Sequence, residues 1–313
     1  MNEFEKAYII FYWLHENIEY DIAQKGAGNA AKMPDDIYNS GKCVCEGYSN
    51  LYQYIGQQIG LKIECIPGYS PDNEYKDAYT GHAWNSLEVN QKNYLIDSTW
   101  GSGSLTNGKY KKNLKEFYFC TNPEYFIFTH FPEESKWQLL ETPIGNEEFQ
   151  KRVRFDEIFF KYFKGSTDLY DNIIITKNEY TIRFYKRYPE IKVPVNIMVE
   201  KDNYYTSEND CKKIIIDKEK YIDIKCIFTE KNNYEVKIDA NDGRSNLFLN
   251  AVTYKIQYLD ESEKQFNYGE INYKESRPLE HDEIIASLNK DKIKLIVNKA
   301  PKRKKSSLNV FID

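Results

Sequence analysis

Three short segments in the first third of the chain hold side chains that could do chemistry. The first, Gly41-Lys42-Cys43-Val44-Cys45-Glu46-Gly47-Tyr48-Ser49, is a glycine-flanked thiol at the mouth of a helical pattern. A cysteine at a helix N-terminus meets the positive end of the macrodipole, which lowers its pKa and raises its thiolate fraction. The second, Gly81-His82-Ala83-Trp84-Asn85, offers an imidazole at a strand start. The third, Leu95-Ile96-Asp97-Ser98-Thr99-Trp100-Gly101, offers a carboxylate at a strand end. Together these are the groups of nucleophilic acyl chemistry: the base activates the sulfur, and the acid orients the base.

Periodicity shows which elements must bring them together. Phe4, Ala7, Tyr8, Ile10, Phe11, Leu14 and Ile18 fall at helical spacing over residues 4–19. Residues 22–41 are rich in Gly, Asn, Ala and Lys and read as a loop. Tyr48, Leu51, Tyr52, Tyr54, Ile55 and Ile59 predict a helix from about Glu46 to Ile59, stopped by Gly60. Strands are expected at 62–67, 83–89 and 94–97, the last two joined through Asn90-Gln91-Lys92-Asn93. Cys45 lies 37 residues before His82, and His82 lies 15 before Asp97. With Gln91-Lys92 as the loop, Asn90 faces Asn93, His82 faces Gly101 and Asp97 faces Ser86. His82 and Asp97 then share a sheet face but stand four residues apart along the strands. That is roughly 13 Å at the usual rise. Contact demands a different register or a bulge.

Each residue also has a plainer reading. A single buried Cys is usually a small hydrophobe, and a His beside an aromatic is usually a packing residue. Cys43 points across the turn from Cys45 and does not open the helix. The six cysteines, at 43, 45, 65, 120, 211 and 226, have neither the density nor the spacing of a disulfide framework. Cys43 and Cys45 have no second close-spaced Cys/His pair to complete a zinc site, so no metal is expected. His130 is expected to pack, beside Phe131-Pro132 and Trp137, and His15 and His281 have no partner visible in sequence.

The second half has a different character. All four tryptophans, at 13, 84, 100 and 137, precede residue 140. After Lys164-Gly165-Ser166-Thr167 come alternating runs at 172–175, 180–185, 193–199, 213–216, 221–228, 234–238 and 251–258. Separated by Asn, Asp, Lys and Glu turns, they predict an immunoglobulin-like β-sandwich over 166–262 without the Cys-Trp-Cys frame of antibodies. Residues 263–313 read as a further, partial β-rich segment. The expected fold class is therefore α+β, with an enzyme core over 1–165.

Composition removes several function classes. The 313 residues are 41% hydrophobic and 15% aromatic, enough to build real cores. No apolar run approaches a membrane span. The N-terminal residues Met1-Asn2-Glu3-Phe4-Glu5-Lys6 lack the basic stretch of a signal peptide, so a cytoplasmic location is expected. A net charge of −5 gives no global field for nucleic acid. The 27 tyrosines, with many Lys, Ile and Asn, resemble an AT-rich codon bias and carry no functional weight. Lys302-Arg303-Lys304-Lys305 reads as a solvated turn rather than an address or a membrane patch.

Cys-x-Gly-Tyr-Ser, then Gly-His-Ala-Trp-Asn, then Leu-Ile-Asp-Ser-Thr-Trp-Gly, in that order, resembles the transglutaminase-like, papain-related core. Tyr12-Trp13-Leu14 through Asn17-Ile18-Glu19-Tyr20-Asp21 resembles its first helix. Phe117-Tyr118-Phe119 through Pro123-Glu124 resembles the kyphoscoliosis peptidase and hillarin branch. So does Thr129-His130-Phe131-Pro132-Glu133 through Trp137-Gln138-Leu139-Leu140. The resemblance spans about residues 5–150 by motif and 170–260 by pattern alone. It implies Cys45 as nucleophile, His82 as base and Asp97 as orienting acid. Cys43 stands where the family has a small residue. For the oxyanion, the Cys45 N–H at the helix N-terminus is one donor; Trp13 or Tyr20 from the first helix region is a second candidate, with core packing the expected job of both.

The resemblance implies a cysteine-dependent acyl-transfer enzyme acting on protein, a peptidase first, through a thioester and with no cofactor. Calcium serves animal transglutaminases, but no EF-hand loop is present here. Alternatives are a protein-glutamine transglutaminase or deamidase, including an effector acting on host proteins, and a non-catalytic scaffold for a cytoskeletal partner. Substrate choice is expected in the 22–41 and 68–80 loops. Oligomeric state is not legible.

Overall fold

The computed structural model describes residues 1–25, 33–71, 79–106, 108–167, 173–241, 243, 248–258 and 279–299. They divide into two compact units, one up to Pro143 plus the returning segment from Arg277, the other from Ile144 to Ser276.

The first unit opens with α1 (Glu3–Asn17), started by a capping box in which Asn2 and Glu5 bond each other's backbone N–H. Its buried residues are Ala7, Tyr8, Ile9, Ile10, Phe11 and Leu14, all but Ile9 on the face the periodicity predicts. A short parallel ribbon follows, β1 (Glu19–Tyr20) with β2 (Lys42–Cys43). Between its strands lies α2 (Pro34–Ser40), which has Pro at its first position and Gly41 left-handed (φ 68°) at its end. Part of the expected 22–41 loop is thus helical. Residues 26–32 of it lie outside the described residues, as do 72–78 of the 68–80 loop.

Next comes α3 (Cys45–Gln58), then β3 (Lys62–Pro71), β4 (Tyr79–Val89) and β5 (Lys92–Ile96). After them come α4 (Ser98–Ser102), the hairpin β6 (Gly103–Thr106) with β7 (Lys109–Lys112), β8 (Phe119–Thr121), α5 (Pro123–Phe126) and β9 (Phe131–Pro132). The central sheet runs β8-β5-β4-β3-β9 and is antiparallel. α1 and α3 share its core, which includes Tyr48, Tyr52, Ile63, Trp84, Leu87, Ile96 and Phe119.

Among its described residues the second unit holds α6 (Asn146–Lys151) and α7 (Glu157–Tyr162), then nine strands. These are β10 (Phe163–Ser166), β11 (Ile173–Thr176), β12 (Glu179–Lys186), β13 (Val195–Lys201), β14 (Tyr204–Tyr205), β15 (Cys211–Asp217), β16 (Tyr221–Phe228), β17 (Asn233–Asn241) and β18 (Phe248–Tyr258). They form two sheets, β10-β12-β16-β15 and β11-β18-β17-β13-β14. The first sheet has the A-B-E-D order of immunoglobulin-type sandwiches, and the second contains a G-F-C order with β11 and β14 added at its edges. The expected β-rich second half is therefore present. The boundary falls near Pro143 rather than 165. The reason is packing: Phe155 and Phe159 of the α6–α7 segment meet Tyr254 and Phe184 of the two sheets.

The C-terminal segment departs from expectation. Its described residues form α8 (Leu279–Ser287) and α9 (Lys290–Lys299), not strands. Ile284, Leu288, Ile293 and Val297 repeat at helical spacing and join the first unit's core. Residues 263–278 and 300–313, including the basic run at 302–305, lie outside the described residues.

Close approach between α1 and α4 makes one fold test. A Cβ on Gly101 would lie 2.2 Å from Phe11 Cζ. Gly101→Ala should therefore destabilise the chain by about 1–3 kcal/mol through overpacking. Urea unfolding will show it; an unchanged midpoint would mean that α4 does not press on α1.

Candidate active site

Cys45 is the first residue of α3, so its own N–H belongs to the helix-start donors that find no carbonyl inside the helix. The half-buried thiol accepts from two sides: His82 hydrogen-bonds the sulfur, and so does the Ala83 backbone N–H. Two reciprocal bonds fix α3 against β4 here. Ser49 Oγ donates to the Trp84 carbonyl at 2.8 Å, and Asn85 Nδ2 donates to the Ser49 carbonyl at 3.0 Å. Two tyrosines on the opposite side of α3 tie it to the N-terminal segment, Tyr52 OH to the Ala7 carbonyl and Tyr48 OH to the Ile18 carbonyl.

The hairpin resolves the distance between His82 and Asp97. Asn90 and Gln91, not Gln91 and Lys92, form the two-residue loop, and both have positive φ (51° and 64°). This is the primed turn that matches strand twist. Val89 therefore pairs with Lys92 and Asn85 with Ile96, which brings Asp97 level with Trp84. The stagger from His82 falls from four residues to two. Diagonal neighbours at that separation are within reach of long side chains. His82 Nε2 lies 2.8 Å from Asp97 Oδ2, leaving Nδ1 for the sulfur.

Asp97 is wholly buried. It also caps α4: Oδ1 accepts from the N–H groups of Thr99 (2.8 Å) and Trp100 (3.0 Å). Oδ2 accepts a second imidazole, His130 Nε2 at 3.0 Å. Sequence reasoning assigned His130 to packing. It does pack, stacked on Phe126 at 3.8 Å, but its polar edge belongs to the site. The turn that carries it follows α5, where the Thr129 and His130 N–H groups both reach the Phe126 carbonyl (3.1 and 3.0 Å), and the sequence signal for that helix is Asn122-Pro123. His15 and His281 also have partners, the carbonyls of Ser102 (2.9 Å) and Glu116 (3.1 Å).

Burial opposes every charge in this cluster, and the charges overcome it in three of four cases. Burial raises Asp97, but His82 and His130 hold it well below the usual carboxylate range. Burial lowers His82, but Asp97 and the Cys45 sulfur push it up to about 10. Burial raises Cys45, but His82 and the Ala83 N–H hold it below its ordinary value. His130 goes the other way: burial pushes it down to about 4 against the pull of Asp97. The arrangement favours thiolate, imidazolium, carboxylate and one neutral imidazole. Cys43, buried in the ribbon, is pushed far up and stays a thiol.

His82, Asp97 and His130 offer ligand atoms close enough to bracket a metal ion. Both Nε2 atoms already face Asp97 Oδ2 at hydrogen-bond distance, so an ion would have to displace the protons that hold the carboxylate. Trp13 stacks on Tyr38 at 6.1 Å, and Tyr20 sits opposite Cys43 in the ribbon. Neither placement assigns them the oxyanion.

Residues 1–98 match the transglutaminase-like superfamily. Kyphoscoliosis peptidase of Mus musculus is 34% identical over 167 residues, covering 51% of this chain and 25% of the relative. The Homo sapiens protein of that name is 34% identical over 166 residues, covering 50% and 25%. Hillarin of Drosophila melanogaster is 26% identical over 182 residues, covering 51% and 22%. The chain thus spans about a quarter of the length of these curated relatives. Residues 1–98 therefore resemble a transglutaminase-like core, and about half of the chain is similar to kyphoscoliosis peptidase and to hillarin.

Proposed function

We propose that the chain is a cysteine-dependent acyl-transfer enzyme acting on protein, with Cys45 as nucleophile, His82 as acid and base, and Asp97 as the group that orients His82. The observation that carries this reading is His82 bonded on one side to the Cys45 sulfur and on the other to a saturated Asp97. The thiolate attacks a carboxamide carbon, forming the C–S bond and placing the electron pair on oxygen. The backbone N–H of Cys45 supports that oxyanion. The imidazolium of His82 gives its proton to the amine as the C–N bond breaks, leaving a thioester. Neutral His82 then takes a proton from water, which attacks the thioester and returns Cys45. Hydrolysis of peptide bonds is the preferred outcome, since two of the relatives bear the name peptidase. An amine in place of water makes the same site a transglutaminase.

Iodoacetamide labelling at pH 6 and pH 8, mapped by mass spectrometry, tests the pairing. An ordinary thiol reacts roughly a hundred times slower at the lower pH, and Cys65, which burial raises, should follow that rule. Cys45 should change little. A Cys45 rate that tracks Cys65 would sink the reading.

Turnover separates the products. With a proteome as substrate, new N-termini report cleavage, and a gain of about one dalton at glutamine reports deamidation. Cys45→Ala should abolish both; a product that survives it belongs to another enzyme. Asp97→Asn should lower the rate by about 10⁴-fold, the scale of losing an orienting carboxylate. In the unmodified chain, activity should fall as pH rises through about 10, where His82 loses its proton.

A further inference from the structure

Asp97 carries two imidazoles on one oxygen, and the mechanism above uses only His82. His82 Nε2 at 2.8 Å and His130 Nε2 at 3.0 Å both address Oδ2. Aiming the carboxylate does not require the second, because Oδ1 is already fixed by the backbone N–H groups of Thr99 and Trp100. His130 is also held in one tautomer. Asp97 Oδ2 can only accept, so neutral His130 gives it the Nε2 proton, which leaves Nδ1 as the acceptor 2.8 Å from Thr129 Oγ1. Its side chain is fully buried, between the stacked ring of Phe126 and the edge-on ring of Trp84.

We infer that His130 is a positioning residue that moderates the hold of Asp97 on His82, by occupying the shared oxygen with a permanent neutral donor. A hydrogen bond to a carboxylate stabilises its charge and makes it a weaker partner for a neighbouring cation. His130 carries no charge to cancel that of Asp97, since burial pushes it down to about 4. It takes a share of one oxygen and no more. The consequence is kinetic. A base locked too firmly as imidazolium cannot take the proton of water in the second half of the reaction, and a catalytic pKa works best near the operating pH.

The titratable groups that meet here come from four elements. They are Cys45 of α3, His82 of β4, Asp97 at the end of β5, and His130 after α5. Tyr118 faces His130 with ring centroids 6.3 Å apart, and Lys115 lies over the Tyr118 ring.

This inference rests on the triad proposed above, and its test reads the two separately. Thiolate absorbance in the ultraviolet is followed against pH on the full chain, with Cys45→Ala as the blank. No Cys45 thiolate below the ordinary thiol range in the unmodified chain would overturn the triad and this inference with it. Given that thiolate, His130→Leu removes the donor while filling its space. The Cys45 midpoint should then fall by about one pH unit, a tenfold change, and the alkaline midpoint should rise. His130→Gln, which keeps a donor, should recover at least half of that shift. Thr129→Val, which removes the hydroxyl beside Nδ1, should move the midpoint the same way by less. Unchanged or raised Cys45 midpoints in folded His130→Leu would overturn the inference. If circular dichroism shows that variant unfolded, the same result in Thr129→Val would do so.

Discussion

A buried carboxylate with its hydrogen-bonding capacity filled is the constraint around which the first unit is organised. Asp97 receives two backbone N–H groups and two imidazoles while wholly hidden from water. An ionised carboxylate in such a place is tolerable only because the donors are complete; removing one leaves a costly unpaired charge. Each donor comes from a different decision of the chain. The N–H groups need α4 to start at Ser98, His82 needs the hairpin turn at Asn90-Gln91, and His130 needs the turn after α5. Asp97 thus couples local folding signals that are separated by many residues.

The thiol has to be delivered to this cluster from the other side. Helix α3 carries Cys45 at its tip, so a small slide of the helix would remove the sulfur from His82. The bonds between Ser49, Trp84 and Asn85 prevent that slide on the sheet side. Tyr48 and Tyr52 prevent it on the side of the N-terminal segment. All of these groups are buried, and buried hydrogen bonds are expensive to leave unmade. Precision at the site is therefore paid for in the core, by polar side chains reaching backbone carbonyls. The tyrosines set aside as codon bias supply two of those bonds.

What was legible in the sequence follows from this division. The amphipathic faces of α1 and α3 could be read because their apolar residues repeat at 3.6-residue spacing over several turns. The alternating strands of the second unit could be read for the same reason at period two. The hairpin register could not. Asn-Gln and Gln-Lys are both acceptable as central residues, and shifting the loop by one residue changes the stagger of His82 and Asp97 by two. Nor could α8 and α9: their apolar residues Ile284, Leu288, Ile293 and Val297 gain meaning only against a core built from far earlier in the chain. His130 was hidden by its own surroundings, since Phe126 and Trp84 make the ring a packing group on its faces while its edge reaches Asp97.

The six cysteines show why residue type alone could not locate the chemistry. Cys43 and Cys120 are buried without a cation to favour the thiolate, and burial raises both far above the usual thiol range. Cys65 lies against Gln53 and Asn50, neutral partners that leave burial in control. Cys211 is the instructive case, because it is held below its ordinary value as Cys45 is. Its partner is Cys226 on the neighbouring strand, which is raised in turn. Two thiols sharing a proton titrate as a pair, and the low value of one is balanced by the high value of the other. Both are sealed within the second unit, so the lowered value reaches no electrophile. Cys45 differs in having an imidazole partner that is itself anchored by Asp97, and in being only partly buried. Asp97 is the largest of the charges that hold the His82 proton against burial, and His82 in turn lowers Cys45.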